Sequence, residues 1–363
     1  METQSKLLKI TARLILATLI IVIMVVGKEF LVPFTWSLLI ALASVKLIEW
    51  AQEKTKLPLG LVITFYLVII LFALFMLGYF FYFELHNIFN DLPGILEKLS
   101  AKIHSMSHSL ESLGVAVPDH IDETYISDWV NKHKDIIQNF VSAFGFNLWN
   151  IILIMFYLFF LLYYKDLVPQ FFTTHIKDKR KLVSAKKDIE KSLSVVRGYI
   201  YGMLILTSVS AVMNLIVFII FGLKFAIFFA VFLAILNLIP FIGNPIGLGV
   251  IMLFAIITND TLMVPILIFA SLFFMNFLQD NVVRPLLIGD KLQMNAFSVF
   301  VAIIIGGMIW GVSGMILFIP LVGIAKIFLE GHETNKSYAI FFSELPKKEK
   351  TKKKKATEPA TEV

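Results

Sequence analysis

The segment from Asn237 to Gly249, NLIPFIGNPIGLG, places two prolines, three glycines and two asparagines in the middle of an apolar run. Pro240 and Pro245 each withdraw an amide donor and clash with the preceding helical turn. Gly243 and Gly247 carry no Cβ and admit a close backbone approach. Backbone freed in this way at membrane depth is tolerated only where it lines a water-filled cavity or is buried in protein. The carboxamides of Asn237 and Asn244 are expensive in hydrocarbon unless they bind something or cap exposed amides, which makes them candidate ligands for a small polar solute. The plainer alternative is a proline kink in one span, with Gly243 and Gly247 packed against a neighbouring helix.

A second polar group follows at QDNVVRP, where Gln279, Asp280, Asn281, Arg284 and Pro285 interrupt apolar sequence on both sides. Asp280 and Arg284 are four apart, so a helical turn would let them pair on one face. Ionisable groups at membrane depth mark substrate, ion or gate contacts by default, while a plain boundary anchor is the other reading. A third irregularity is glycine-rich: Gly306, Gly307, Gly311, Ser313 and Gly314 break the last long apolar run, and Pro320 follows. Two interrupted apolar runs in one chain are the pattern of half-helices whose ends meet at a transport site; glycine-lined packing is the alternative.

Other chemistry is thin. His104 and His108 are four apart, with Glu97 and Glu111 near them on the same helical face, a spacing that can hold a divalent metal. A solvated polar stripe explains the same residues, and no metal site is expected. The chain has no cysteine, which removes disulfides, thiolate nucleophiles and Cys-based metal centres. It contains no Walker A loop, HExxH, GxSxG or kinase motif set, so neither an enzyme nor an ATP-driven pump is expected, and no cofactor is implied.

The elements that must position these groups are membrane spans. Of 363 residues, 58% are hydrophobic and 16% charged, with mean hydropathy +0.83. Soluble domains run at roughly 45–50% and 25%, so a soluble globular protein is excluded, and disorder is excluded by the excess of apolar surface. About 20 apolar residues cross the hydrocarbon as a helix. Length then gives eight runs: Leu14 to Val26, Phe30 to Val45, Leu59 to Phe83, Phe146 to Tyr164, Ile200 to Phe221, Phe225 to Ile257, Leu262 to Leu278 and Phe297 to Phe328. The expected class is an all-α polytopic membrane protein with about eight transmembrane helices. Two of them, at 225–257 and 297–328, are read as broken or re-entrant.

Lys6, Lys9 and Arg13 precede the first run without a small-x-small cleavage site, so it reads as an uncleaved helix, with Lys28 and Glu29 as a hairpin tip before the second. Lys165 to Arg197 carries nine basic and four acidic residues, and Glu84 to Gly145 nine acidic against four basic. Lys and Arg are retained inside, which places the first loop and both termini in the cytoplasm and the second segment outside. That outer segment repeats apolar residues at three-and-four spacing from Leu85 to Leu113 and again from Ile126 to Phe144, an amphipathic helical insert suited to core or subunit packing. Lys177 to Arg197 reads as a helix lying along the inner leaflet. The expected organisation is three N-terminal spans in 1–83, the insert in 84–145, a transport core in 146–329, and a disordered Lys-rich tail in 330–363 that touches anionic lipid weakly and binds no nucleic acid.

LNLIPFIGNPIG, QDNVVRPLLIG followed by KLQMNAF, and IIGGMIWGVSGMILFIPLVGIAKIF together resemble the autoinducer-2 exporter-like transporters of bacterial inner membranes, also called the PerM or AI-2E family. The resemblance covers nearly the whole chain. The family's proline-glycine break is met by Pro240, Gly243 and Gly247, its acidic or amide residue plus Asn before a proline by Gln279, Asn281 and Pro285, and its glycine-rich last span by Gly306, Gly307, Gly311, Gly314 and Pro320. Many members carry Glu where Gln279 stands and a proline near Ala296; the first departure leaves Asp280 as the nearest carboxylate. The resemblance implies a homo-oligomer, a pentamer, that exports small solutes such as autoinducer-2, with sodium or proton antiport in some relatives.

Overall fold

The computed structural model describes residues 2–111, 148–175, 178–239, 241–283, 286, 294–331 and 339–343. Among these the regular structure is helical: α1 (Glu2–Val26), α2 (Lys28–Thr55), α3 (Leu59–Asn90), α4 (Leu92–Glu111), α5 (Leu148–Tyr163), α6 (Leu167–His175), α7 (Lys179–Ile220), α8 (Ala226–Leu236), α9 (Gly243–Thr258), α10 (Met263–Leu278) and α11 (Ala296–Glu330). A π-helical turn, Gln279–Val283, continues α10, and a short 3-10 helix spans Ile340–Phe342. Among the described residues five helices are long and apolar enough to cross a membrane, and shorter apolar helices accompany them. The all-α polytopic membrane class is what the hydropathy requires.

The two broken runs are helical hairpins. In the first, α8 and α9 fold back on each other: Phe229 packs tilted against Phe254 with ring centroids 4.6 Å apart, and Gly247 faces Leu233 so closely that a Cβ would lie 2.5 Å from its Cδ1. The GxxxG pair is thus used, but between the arms of one hairpin rather than against a separate helix. Consecutive 3-10 bonds, Leu238 N–H to Ile235 and Ile239 N–H to Leu236, tighten the end of α8 before the reversal. The second hairpin lies within α11. Gly311 sits at φ 62, ψ −143, and the arms on either side meet so tightly that a Cβ on Gly314 would stand 1.9 Å from the Gly306 carbonyl oxygen. In an unbroken helix residues eight apart are separated by about 12 Å along the axis, so this contact requires a reversal.

The hairpins enter from opposite ends of the bundle. Lys224, before α8, pairs with Asp91 between α3 and α4. At the other arm, Lys102 Nζ donates to the carbonyls of Ile256 (2.5 Å) and Asn259 (2.6 Å), and Lys98 Nζ to Thr258 (3.3 Å). Both bases of the first hairpin therefore lie at the end that carries the acidic insert. At the opposite end, Glu330 closes α11 against Lys191 of α7 at 2.8 Å. There Asn295 caps the first arm by accepting from Ser298 N–H and donates to the carbonyls of Phe341 and Ser343. Residues 339–343, inside the stretch expected to be tail, are held here. Each hairpin runs deep: Phe241 at the first tip meets Phe300 (6.2 Å), close to the base of α11, while Trp310 at the second tip donates to the Met24 carbonyl.

Two local expectations change. Lys177 to Arg197 does not lie along a leaflet; from Lys179 it is the first half of the 42-residue α7, because no proline interrupts it and its apolar side packs upright. Val195 and Val196 are buried, and Arg197 Nε donates to the Leu42 carbonyl of α2. Lys28 and Glu29 are not a hairpin tip: α1 and α2 join through Gly27 alone, with Gly27 N–H bonded to Ile23 and Leu31 N–H to Gly27 as in a continuing helix. The described apolar side chains of α1 from Leu14 to Val26 stay largely exposed, while at its end Trp310 of α11 donates to the Met24 carbonyl. The second insert helix, the lysine run from Lys347, and the side chains of His104 and His108 lie outside the described residues.

Candidate functional site

Seven of the polar or glycine positions singled out by spacing cluster around the first tip and the end of α10. Asn237 ends α8, and its Nδ2 donates to Ser210 Oγ on α7 at 3.2 Å. Asn244, the second residue of α9, is half-buried, and its Oδ1 is fully enclosed with no hydrogen-bond partner. Pro245 beside it is exposed. Gly243 sits under the Leu236 carbonyl and Gly247 under Leu233, so both serve the closure of the hairpin and turn no face toward a solute. Pro240, Arg284 and Pro285 lie outside the described residues, and with them the Asp280–Arg284 pairing.

The QDN group divides. Gln279 points inward, 4% exposed, and its Nε2 is enclosed without a partner. Asp280 and Asn281 lie on the exposed side of the π turn, where Asn281 Nδ2 donates to the Phe277 carbonyl at 2.9 Å. Successive helical side chains point about 100° apart, and the π turn sets which of the three faces inward, a local widening often found at functional positions. Among the described residues no carboxylate is buried, and none forms a cluster of three metal-ligating groups.

Asn244 Oδ1 and Gln279 Nε2 are the two enclosed side-chain polar atoms without a partner among the described residues. One is an acceptor and the other a donor. α9 and α10 run antiparallel from the same end, and Asn244 and Gln279 stand about 21 and 24 Å along them, at one level of the bundle. An unmet polar atom in a buried site costs about 1–3 kcal/mol, so its retention calls for water or a ligand. A donor and an acceptor without charge fit a hydroxylated, neutral molecule.

The glycines of the second hairpin do a different job. Gly306 and Gly314 are buried against each other, Gly307 lies under Met315, and Gly311 provides the positive φ of the tip. They bring two backbones together and present no polar side chain. Ser210 and Asn214, which neither a helix break nor a charge marks in the sequence, are 0% and 1% exposed in the last third of α7. Asn214 Nδ2 also donates to Ser210 Oγ, at 3.4 Å. Asn214, a carboxamide one helical turn after Ser210 inside a hydrophobic run, was the available signal.

Against known proteins, the model of the AI-2E family transporters matches residues 14–333. The chain belongs to the AI-2E transporter family. The AI-2 transport protein TqsA of Escherichia coli is 23% identical over 324 residues, covering 88% of this chain and 91% of that one. A Haemophilus influenzae chain is 24% identical over 329 residues with the same coverage, and YrrI of Bacillus subtilis is 29% identical over 154 residues, 42% of each chain. As an AI-2E family member the protein is a membrane transporter.

Proposed function

We propose that this AI-2E transporter exports a small, polar, uncharged solute of the autoinducer-2 kind across a bacterial inner membrane, as a secondary transporter without catalytic activity. The observation that carries the reading is the pair of enclosed, unpartnered carboxamide atoms at Asn244 and Gln279. Solute hydroxyls can donate to Asn244 Oδ1 and accept from Gln279 Nε2, and among the described residues no carboxylate is buried. The AI-2 transport function named for TqsA points to the same solute class. The positive-inside bias puts both termini and the base of the second hairpin in the cytoplasm and the acidic insert outside. A homo-oligomer, a pentamer as the family resemblance implies, is the assembly proposed.

The test is efflux of autoinducer-2 from cells or its uptake into inverted membrane vesicles. Asn244→Leu and Gln279→Leu are expected to abolish it while the oligomer stays intact on blue native gels. Unchanged transport in both variants would remove the assignment. The antiport alternative needs Asp280 to carry the proton; its exposed position on the π turn argues against that role, and Asp280→Asn is expected to leave transport unchanged.

A further inference from the structure

We infer that Ser210 and Asn214 of α7 are positioning residues for transport, holding the tip of the first hairpin in the arrangement that aims Asn244 at the solute; this rests on the solute reading above. Two carboxamide donors, Asn237 Nδ2 at 3.2 Å and Asn214 Nδ2 at 3.4 Å, converge on one hydroxyl oxygen, Ser210 Oγ. Ser210 and Asn214 are 0% and 1% exposed, so no solute touches them while the hairpin is in place. Asn237, by contrast, belongs to the tip itself and is only half-buried. The bond therefore ties a moving candidate, the tip, to a long packed helix.

The tip needs such a tie. Phe241 holds φ 65, a left-handed conformation that a bulky residue adopts only when its surroundings enforce it. Its ring is largely exposed, with Phe300 as an edge-on neighbour, so the tip is held from behind: Ile242 packs against Tyr199, Ile303 and Ile319, and the Asn237–Ser210 bond is the polar fixed point. Ser210 lies about 15 Å from the insert end of α7, near the midplane of a hydrocarbon layer about 30 Å thick. Water does not compete there for the hydroxyl, so the network specifies one placement of Asn237. Asn244 is seven residues further along the same hairpin, and its direction follows from that placement.

Because the chain contains no cysteine, a single introduced thiol reports on the tip without background. Leu236→Cys, buried at 5% exposure beneath the tip, would be labelled with a water-soluble maleimide in the full-length protein in membranes. Adding Ser210→Ala, or separately Asn214→Leu, is expected to raise the labelling rate about fivefold, the equivalent of one hydrogen bond. In chains without the reporter, the same substitutions are expected to raise the KM for autoinducer-2 by a similar factor with maximal turnover held within about twofold, and Ser210→Thr, which keeps the hydroxyl, to restore KM. Unchanged labelling and unchanged KM would overturn the inference, as would a fall in turnover at constant KM. Faster labelling in a protein whose unsubstituted form moves no autoinducer-2 would support the positioning role and remove the solute reading instead.

Discussion

The first hairpin encloses polar groups that it does not fully satisfy, whereas the second uses its small residues for backbone contact and satisfies its polar groups at its base. At the first tip, Asn237 reaches Ser210 and Asn244 leaves an acceptor open. At the second, Gly306 meets Gly314, Trp310 packs on Phe318 at 5.3 Å, and Asn295, Ser298 and residues 339–343 tie off the base. Interrupted apolar runs that look alike in composition have therefore taken different roles. One leaves enclosed polar atoms unmet, and the other is closed by backbone contact.

The largest effect that would break this contrast lies in the second hairpin. Gly314→Val and Gly306→Val place side-chain atoms where backbone already stands, so loss of folded protein in membranes is expected; the milder Gly306→Ala should cost about 3 kcal/mol or more, read as a fall in thermal midpoint in detergent. If Gly306→Ala melts like the unsubstituted protein, the backbone contact is not what closes the hairpin. Next in size, Asn244→Leu should abolish transport while raising stability by about 1 kcal/mol, because it removes an unmet acceptor. A loss of stability instead would mean that Asn244 is structural, like the glycines opposite.

Smaller effects test how the two bases are held. Lys98 and Lys102 satisfy the last carbonyls of α9 and complement its helix dipole, so replacing both by Met should lower hydrogen-exchange protection in the final turn of α9 by about 1 kcal/mol, with α11 unaffected. The pair between exposed Lys191 and half-buried Glu330 should matter less: Lys191→Met is expected to shift stability by under about 1 kcal/mol, and less still in high salt. Smallest of all is Gly249→Ala. Its Cβ would meet nothing within 4 Å, and the substitution should be neutral or slightly stabilising, in contrast to Gly247→Ala two residues earlier.

Much of this was legible in the residues themselves. Apolar run length located the spans, and Pro240, Pro245 and the glycines around them marked a break that a regular helix cannot bridge. Gly311 and its neighbours did the same for α11. The fate of each glycine was not legible, because a missing Cβ is compatible with lining a cavity and with touching another backbone. Nor was the split of QDN, since a π turn changes which of three adjacent side chains faces inward without changing the sequence pattern. Lys177 to Arg197 was misread because its charge density describes a solvated helix equally well upright or flat.

By itself, the sequence determined that the chain lives in a bilayer, that it is helical, and where its helices must break, because unpaired backbone in hydrocarbon is costly wherever the neighbours are. The tertiary structure alone decided which way the broken arms turn and which amides are left unmet. Those outcomes depend on contacts between residues far apart in the chain, such as Asn237 with Ser210 and Lys102 with Asn259, and local spacing carries no record of them.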